Sequence, residues 1–216
     1  MNNVKLIWAT PDGDKHVAYM ARVSNPANQD NPDSVKLIKY LIEHKHWSPL
    51  EMVSACVEIN TTRDIGRQIL RHRSFSFQEF SQRYMDVEAL PPVQLRECRL
   101  QDKKNRQNSI ELAEHEHVCL SRWWDMVQEG IHSSAMASYK QALKSGIAKE
   151  QARALLPEGL TPSRMYMTGT LRSWLHFISV RADQATQKEH RLIAEQVREI
   201  LRGSFPEVMR AADGTA

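Results

Sequence analysis

Polar and apolar positions alternate over residues 53–59. Val53, Ala55, Val57 and Ile59 fall on one side, and Ser54, Cys56 and Glu58 on the other. A strand with one apolar face is half-buried and pairs best in an antiparallel sheet. Residues 4–9 predict a short strand and residues 165–169 the end of another. Elsewhere apolar residues recur at helical spacing. Pro11-Asp12-Gly13-Asp14 predicts a turn into a helix with Val17, Met20 and Ala21 inward. Residues 34–44 predict a helix burying Val35, Ile38, Leu41 and Ile42. Two successive helices are predicted at about 109–130 (Ile110, Ala113, Val118, Trp123, Trp124 and Val127) and 132–144, the second stopped by Gly146. In the first of these, His115 and His117 are expected to be exposed, and the Trp123–Trp124 pair to lie in the core or at a subunit interface. A short helix at 149–156 is stopped by Pro157. Thr170 can cap the next helix, with Trp174, Leu175 and Ile178 inward, and a structural helix is predicted over 184–202. Residues 25–33 are turn-rich. After Tyr84 the chain is irregular through Pro91-Pro92 and then highly polar to Asn108, and residues 85–107 read as a mobile loop. These elements predict an α+β fold, an antiparallel sheet flanked by helices, in a single domain over 1–216.

One stretch breaks this ordinary pattern. Residues 67–84, RQILRHRSFSFQEFSQRY, carry Arg67, Arg71, Arg73 and Arg83 with His72, and Glu79 is the single acid among them. Thr61 or Thr62 can cap a helix that Asp64 favours by the dipole, with Ile65 and Ile69 inward, ending near Arg73. Arg63, Arg67 and Arg71 then share one face, Gln68 and His72 another. SFSFQEF alternates as an extended segment or tight loop would, with Glu79, Ser81 and Arg83 to one side. Guanidinium groups bind phosphate and carboxylate bidentately, so arginines at this density suit a small anion or nucleotide. Two other readings share the composition: a solvated basic helix followed by a strand, and a single-stranded nucleic-acid binder using the interleaved Phe75, Phe77 and Phe80.

Composition narrows these. The chain has 216 residues, 41% hydrophobic and 25% charged, enough for a good core. Net charge is only +3, so the positive charge is local and does not fit a chain built to coat nucleic acid. Cys56, Cys98 and Cys119 are odd in number and form no CxxC. This fits a reducing, cytoplasmic setting without structural disulfides. No apolar run reaches membrane-spanning length, and the N-terminal stretch lacks a signal-peptide core. Cys56 falls in the predicted strand and has no activating neighbour, so it reads as a sheet residue. His44-Lys45-His46 places cations at a helix C-terminus. No third ligand follows at a convincing spacing, so capping is preferred and no metal is assigned.

Arg71-His72-Arg73, followed after seven residues by Ser81, resembles the signature of flavin-dependent thymidylate synthases, and the match extends through Glu79, Arg83 and Tyr84. Residues 172–183 are similar to a second segment of that family, with Arg172 and His176 on one helical face and then Arg181-Ala182. His46, Ser48 and Pro49, and Arg153 within Arg-Ala-Leu-Leu-Pro, resemble two shorter segments. The family often has Asn where this chain has Thr170. The resemblance implies a homotetramer, FAD as cofactor, NADPH as reductant, and methylenetetrahydrofolate as carbon donor in the methylation of dUMP to dTMP. It implies FAD contacts from His46, Ser48, Arg71, His72, Arg73, Glu79, Thr170, Arg172 and His176. It implies dUMP contacts from Gln68, Arg71, Glu79, Ser81, Gln82, Arg83, Arg153 and Arg181, with Arg181 polarising the pyrimidine. No GxGxxG fingerprint is present, so a flavin would be gripped by side chains and loop amides. No nucleic-acid or membrane partner is expected. A flavin protein of this fold without synthase activity is a further alternative, against which the intact Arg181 and Arg71–Arg73 segment speak.

Overall fold

The computed structural model of the chain describes residues 3–92, 94–112 and 117–214. Four antiparallel strands form the central sheet: β1 (Asn3–Ala9), β2 (Ser54–Thr62), β3 (Ser76–Glu79) and β6 (Pro162–Thr170), in the order β1-β2-β6-β3. β2 and β6 pair along their whole length, from Ser54 opposite Thr170 to Thr62 opposite Pro162. β3 lies on the outer edge of β6, with Phe77 opposite Met167 and Glu79 opposite Met165. The alternation at 53–59 has the predicted consequence: Val53, Ala55, Val57 and Ile59 are fully buried. They meet Met165 and Met167 of β6 and the apolar stripes of the helices.

Those helices are α1 (Gly13–Ala21), α2 (Val35–Glu43), α3 (Arg63–Ile69), α6 (Leu171–Arg181), α7 (Lys188–Ser204) and α8 (Pro206–Ala212). Val17, Ile38, Ile65, Trp174, Val197 and Val208 carry them into one core. In α1 and α2 the buried face is narrower than the sequence predicts: Met20 and Ala21 are half-buried, and Val35 is exposed. α8 was not anticipated. Its N-terminus is held by the buried Asp14 carboxylate, which accepts from Glu207 N at 2.9 Å and Val208 N at 3.2 Å. Burial nevertheless pushes the Asp14 carboxyl above its ordinary pKa.

The region after Tyr84 departs most from expectation. Within it lies a β-hairpin, β4 (Arg99–Gln101) paired with β5 (Ser109–Glu111). The two helices predicted at 109–130 and 132–144 are one continuous helix, α4 (Val118–Lys144). A glycine costs a helix only about 1 kcal/mol, so Gly130 does not break it. Ile110 belongs to the hairpin, and Ala113 and His115 lie outside the described residues. His117 is exposed just before α4, as is Trp123 on it. Trp124 is half-buried and donates its indole N–H to Arg96 O at 2.8 Å. Neither tryptophan enters the sheet core. α4 forms a small separate cluster through Tyr139 and Ala142, which pack with Val87 and with Ala152 of α5 (Lys149–Ala152).

Candidate active site

α3 and α6 bring the two arginine segments together. α3 follows β2 directly and ends at Ile69, four residues before the predicted boundary. His72 and Arg73 therefore stand in the turn that leads to Phe75 and β3. Phe75 anchors that turn. It is buried, and its ring meets Trp174 of α6 edge-on at 4.6 Å between centroids. Thr170 caps α6, accepting from Ser173 N at 3.4 Å, and the Ser173 hydroxyl donates to Ser74 O at 3.3 Å. These contacts hold the arginine-bearing turn against α6.

The result is a cluster at the C-terminal ends of α3 and α6. Arg181 Nε donates to His72 Nε2 at 2.8 Å. His72 must therefore be neutral, with its proton on Nδ1. Burial above all, then the charges of Arg181, His176 and Arg71, pull its pKa from 6.5 to about 4. Burial and the charge of Arg71 also lower the pKa of Arg181. Arg71 and Arg73 are exposed, and neither has a carboxylate partner among the described residues. Gln68 Nε2 donates to Gln187 Oε1 at 2.7 Å, and Gln68 Oε1 lies 3.3 Å from Nδ1 of the buried His190. Burial and the charge of Arg181 bring the His190 pKa to about 3.

A second group lies along α3. Glu79 accepts from the Ser163 hydroxyl at 2.7 Å and sits 3.9 Å from Arg63, which with Arg67 also faces Glu158. Glu79, Ser81 and Arg83 do not share a strand face as expected. β3 ends at Glu79 and the chain turns, with Tyr84 N and Met85 N both bonding Ser81 O at 3.1 Å. Gln82 is buried with Nε2 unpartnered, Arg83 faces Glu150 at 3.4 Å, and Arg153 is exposed beyond α5.

On the other side of α6, Arg172 pairs with Glu51 from the turn after Ser48. His176 follows one helical turn later, exposed, on a cleft of about 670 Å³ lined by Trp47, Glu51, Ser74 and Arg172 among others. His46 and Ser48 are exposed nearby in sequence. His46 sits beyond a helix end closed by Lys45 in the left-handed conformation (φ 57°).

Sequence reasoning missed Glu51, Gln187 and His190. For His190 a signal existed: it falls on the apolar stripe of the last helix, with Ile193, Val197 and Leu201. That helix begins at Lys188, four residues after the predicted start, because Asp183 closes a turn by accepting from Ala185 N at 2.8 Å.

A donor-rich, acid-poor cluster of this kind suits an anionic ligand. The family described as thymidylate synthase complementing protein matches residues 5–207. A probable flavin-dependent thymidylate synthase of Paramecium bursaria Chlorella virus 1 is 46% identical over 91% of this chain and 89% of its own length. The flavin-dependent thymidylate synthase of Synechocystis sp. is 48% identical over 91% of this chain and 88% of its own. The crystal structure of the UMP/dUMP methylase PolB from Streptomyces cacaoi, bound with 5-Br dUMP, superposes with a TM-score of 0.84 at 28% identity, over 99% of this chain and 95% of that one. The chain belongs to the flavin-dependent thymidylate synthase family.

Proposed function

We propose that this chain forms one synthase domain that methylates dUMP to dTMP, with methylenetetrahydrofolate as carbon donor and NADPH reducing bound FAD. The observation that carries the reading is the Arg71–His72–Arg181 cluster, together with the family membership. The residues present fit the flavin. Arg71 and Arg73 offer guanidinium forks unmatched by carboxylate among the described residues, a donor set suited to a diphosphate. His72, Arg172, His176, His46, Ser48, Glu79 and Thr170 would complete its contacts. The Thr170 hydroxyl is already engaged in capping α6. When bound, the flavin supplies the reducing equivalents, so no side chain need act as nucleophile.

Uracil C5 is a weak nucleophile, and stabilising negative charge on the N3/O2 side raises its electron density. His72 engages Nε of Arg181, so the two Nη groups are the ones presented to the pyrimidine. An arginine remains charged even where burial lowers its pKa, and a fixed cation at a developing oxyanion is a strong electrostatic catalyst. Gln68, Arg71, Glu79, Ser81, Gln82, Arg83 and Arg153 are assigned to the rest of the nucleotide.

Arg83 pairs with Glu150 of α5 and Arg153 directly follows α5, whereas Arg181 and His72 stand at the ends of α6 and α3. This supports a homotetramer in which neighbouring copies complete each site. The exposed Trp123, Met126 and Ile131 of α4 give such an assembly an apolar face. A cytoplasmic setting fits cysteines that form no disulfide among the described residues, in a chain whose described helices are none of them long and apolar enough to cross a membrane. The single-strand-binding alternative loses its stacking platform, since Phe75 is buried and Phe77 and Phe80 are half-buried.

The test is dTMP formation from dUMP in the presence of all three partners, compared with Arg181→Ala. The expected result is turnover that falls about 100-fold or more in the variant, as for loss of an oxyanion donor, while FAD is retained. Near-normal turnover in R181A would remove Arg181 from the chemistry.

A further inference from the structure

Gln68 is anchored by a run of side chains that ends on the β4–β5 hairpin. Gln68 Nε2 donates to Gln187 Oε1 at 2.7 Å, and Gln187 Nε2 donates to Glu189 Oε2 at 2.9 Å. Arg99 of β4 donates from Nη2 to Glu189 Oε1 at 2.6 Å. Arg99 and Glu189 are largely buried, with 10% and 17% of their side chains exposed. The hairpin is further clasped to α7 by Lys188, which reaches Glu97 at 2.8 Å and Glu111 at 2.5 Å.

The polarity of this run follows from its charged end. A primary amide can present either its oxygen or its nitrogen, and nothing in Gln68 or Gln187 alone chooses. The Glu189 carboxylate only accepts, so Gln187 must turn its NH2 toward it and its oxygen toward Gln68. Gln68 must then give its NH2 to Gln187 and its oxygen to His190 Nδ1–H. We infer that Glu189 and Gln187 are positioning residues that fix which end of the Gln68 amide meets the nucleotide, with Arg99 tying that choice to the hairpin. The inference rests on the assignment of Gln68 to dUMP.

Replacing the carboxylate by an amide reverses the run. In Glu189→Gln the new side chain gives its oxygen to Arg99 and its NH2 to Gln187. Gln187 and then Gln68 flip in turn, and His190 changes tautomer. The double variant Gln187→Glu with Glu189→Gln restores the polarity. The carboxylate at 187 accepts from Gln68 and from the amide at 189, whose oxygen still accepts from Arg99.

The experiment is dUMP affinity by calorimetry on the FAD-loaded protein, alongside KM and kcat, for wild type, E189Q and the double variant. One misdirected hydrogen bond predicts a rise of about tenfold in Kd and KM for dUMP in E189Q. Recovery to within about threefold of wild type is expected in the double variant, with kcat moving less than KM in both. Unchanged affinity in E189Q overturns the inference. So does a loss that the double variant fails to repair, which would mark Glu189 as merely structural. A wild-type protein that loads FAD but binds no dUMP would instead overturn the assignment of dUMP itself.

Discussion

His72 shows how a single hydrogen bond fixes chemistry. Arg181 donates to its Nε2, so protonating His72 would set two donors face to face. The half-buried His72 and the buried His190 form a pair of imidazoles whose pKa values lie near 4 and 3, against an ordinary 6.5. The sign of the stability effect follows. Below about pH 6.5 the unfolded chain takes up protons that the folded chain refuses, so the unfolded state gains stability. Stability from these groups is whole above about pH 6.5 and declines as pH falls toward about 4. The midpoint of urea unfolding is expected to drop across that window, and to drop less steeply in His190→Gln. Parallel curves for the two proteins would show that His190 does not contribute. The residues that carry the family resemblance were legible as types and spacings. Their partners were not: Glu51 lies 121 positions from Arg172, and Gln187 lies 119 from Gln68. Such pairings arise only from the tertiary packing of α6 and α7.

At the level of elements, the period-two pattern of β2 and the stripes of α2, α6 and α7 were readable because one face of each is apolar. The hairpin β4–β5 was not, since its residues are mostly polar and it is held by ionic contacts such as Arg99 with Glu189. Arg96 ties the same segment to the start of α3, reaching both Asp64 oxygens at 2.7 Å. The turn carrying His72 and Arg73 depends on a close approach between β6 and Phe75. A Cβ at Gly169 would lie 2.5 Å from the Phe75 ring. Gly169→Ala must displace that ring from Trp174, and overpacking of this kind costs about 1–3 kcal/mol. Thermal unfolding should register the loss, together with weaker FAD retention as the turn shifts. An unaltered melting temperature would mean that Phe75 has room to move.

Across the whole molecule, the sheet and its helices form one core, and α4 stands partly outside it with Trp123 and Met126 exposed. The Arg71–Arg181 cluster lies at the ends of α3 and α6, while Arg83 and Arg153 lie near α5. Spacing alone does not separate Arg83 from Arg71, whereas for Arg153 the family resemblance already implies a contact to a substrate held by a neighbouring subunit. A neighbouring copy would bring the two groups together, and cations left facing one another call for an anion between them. Anaerobic absorbance of the FAD-loaded protein after addition of NADPH, with and without dUMP, tests the shared site most directly. The expected result is a yellow protein whose flavin band bleaches at a rate that dUMP changes. A colourless protein that takes up no added FAD would contradict the flavin assignment, and bleaching indifferent to dUMP would contradict a nucleotide held beside the flavin.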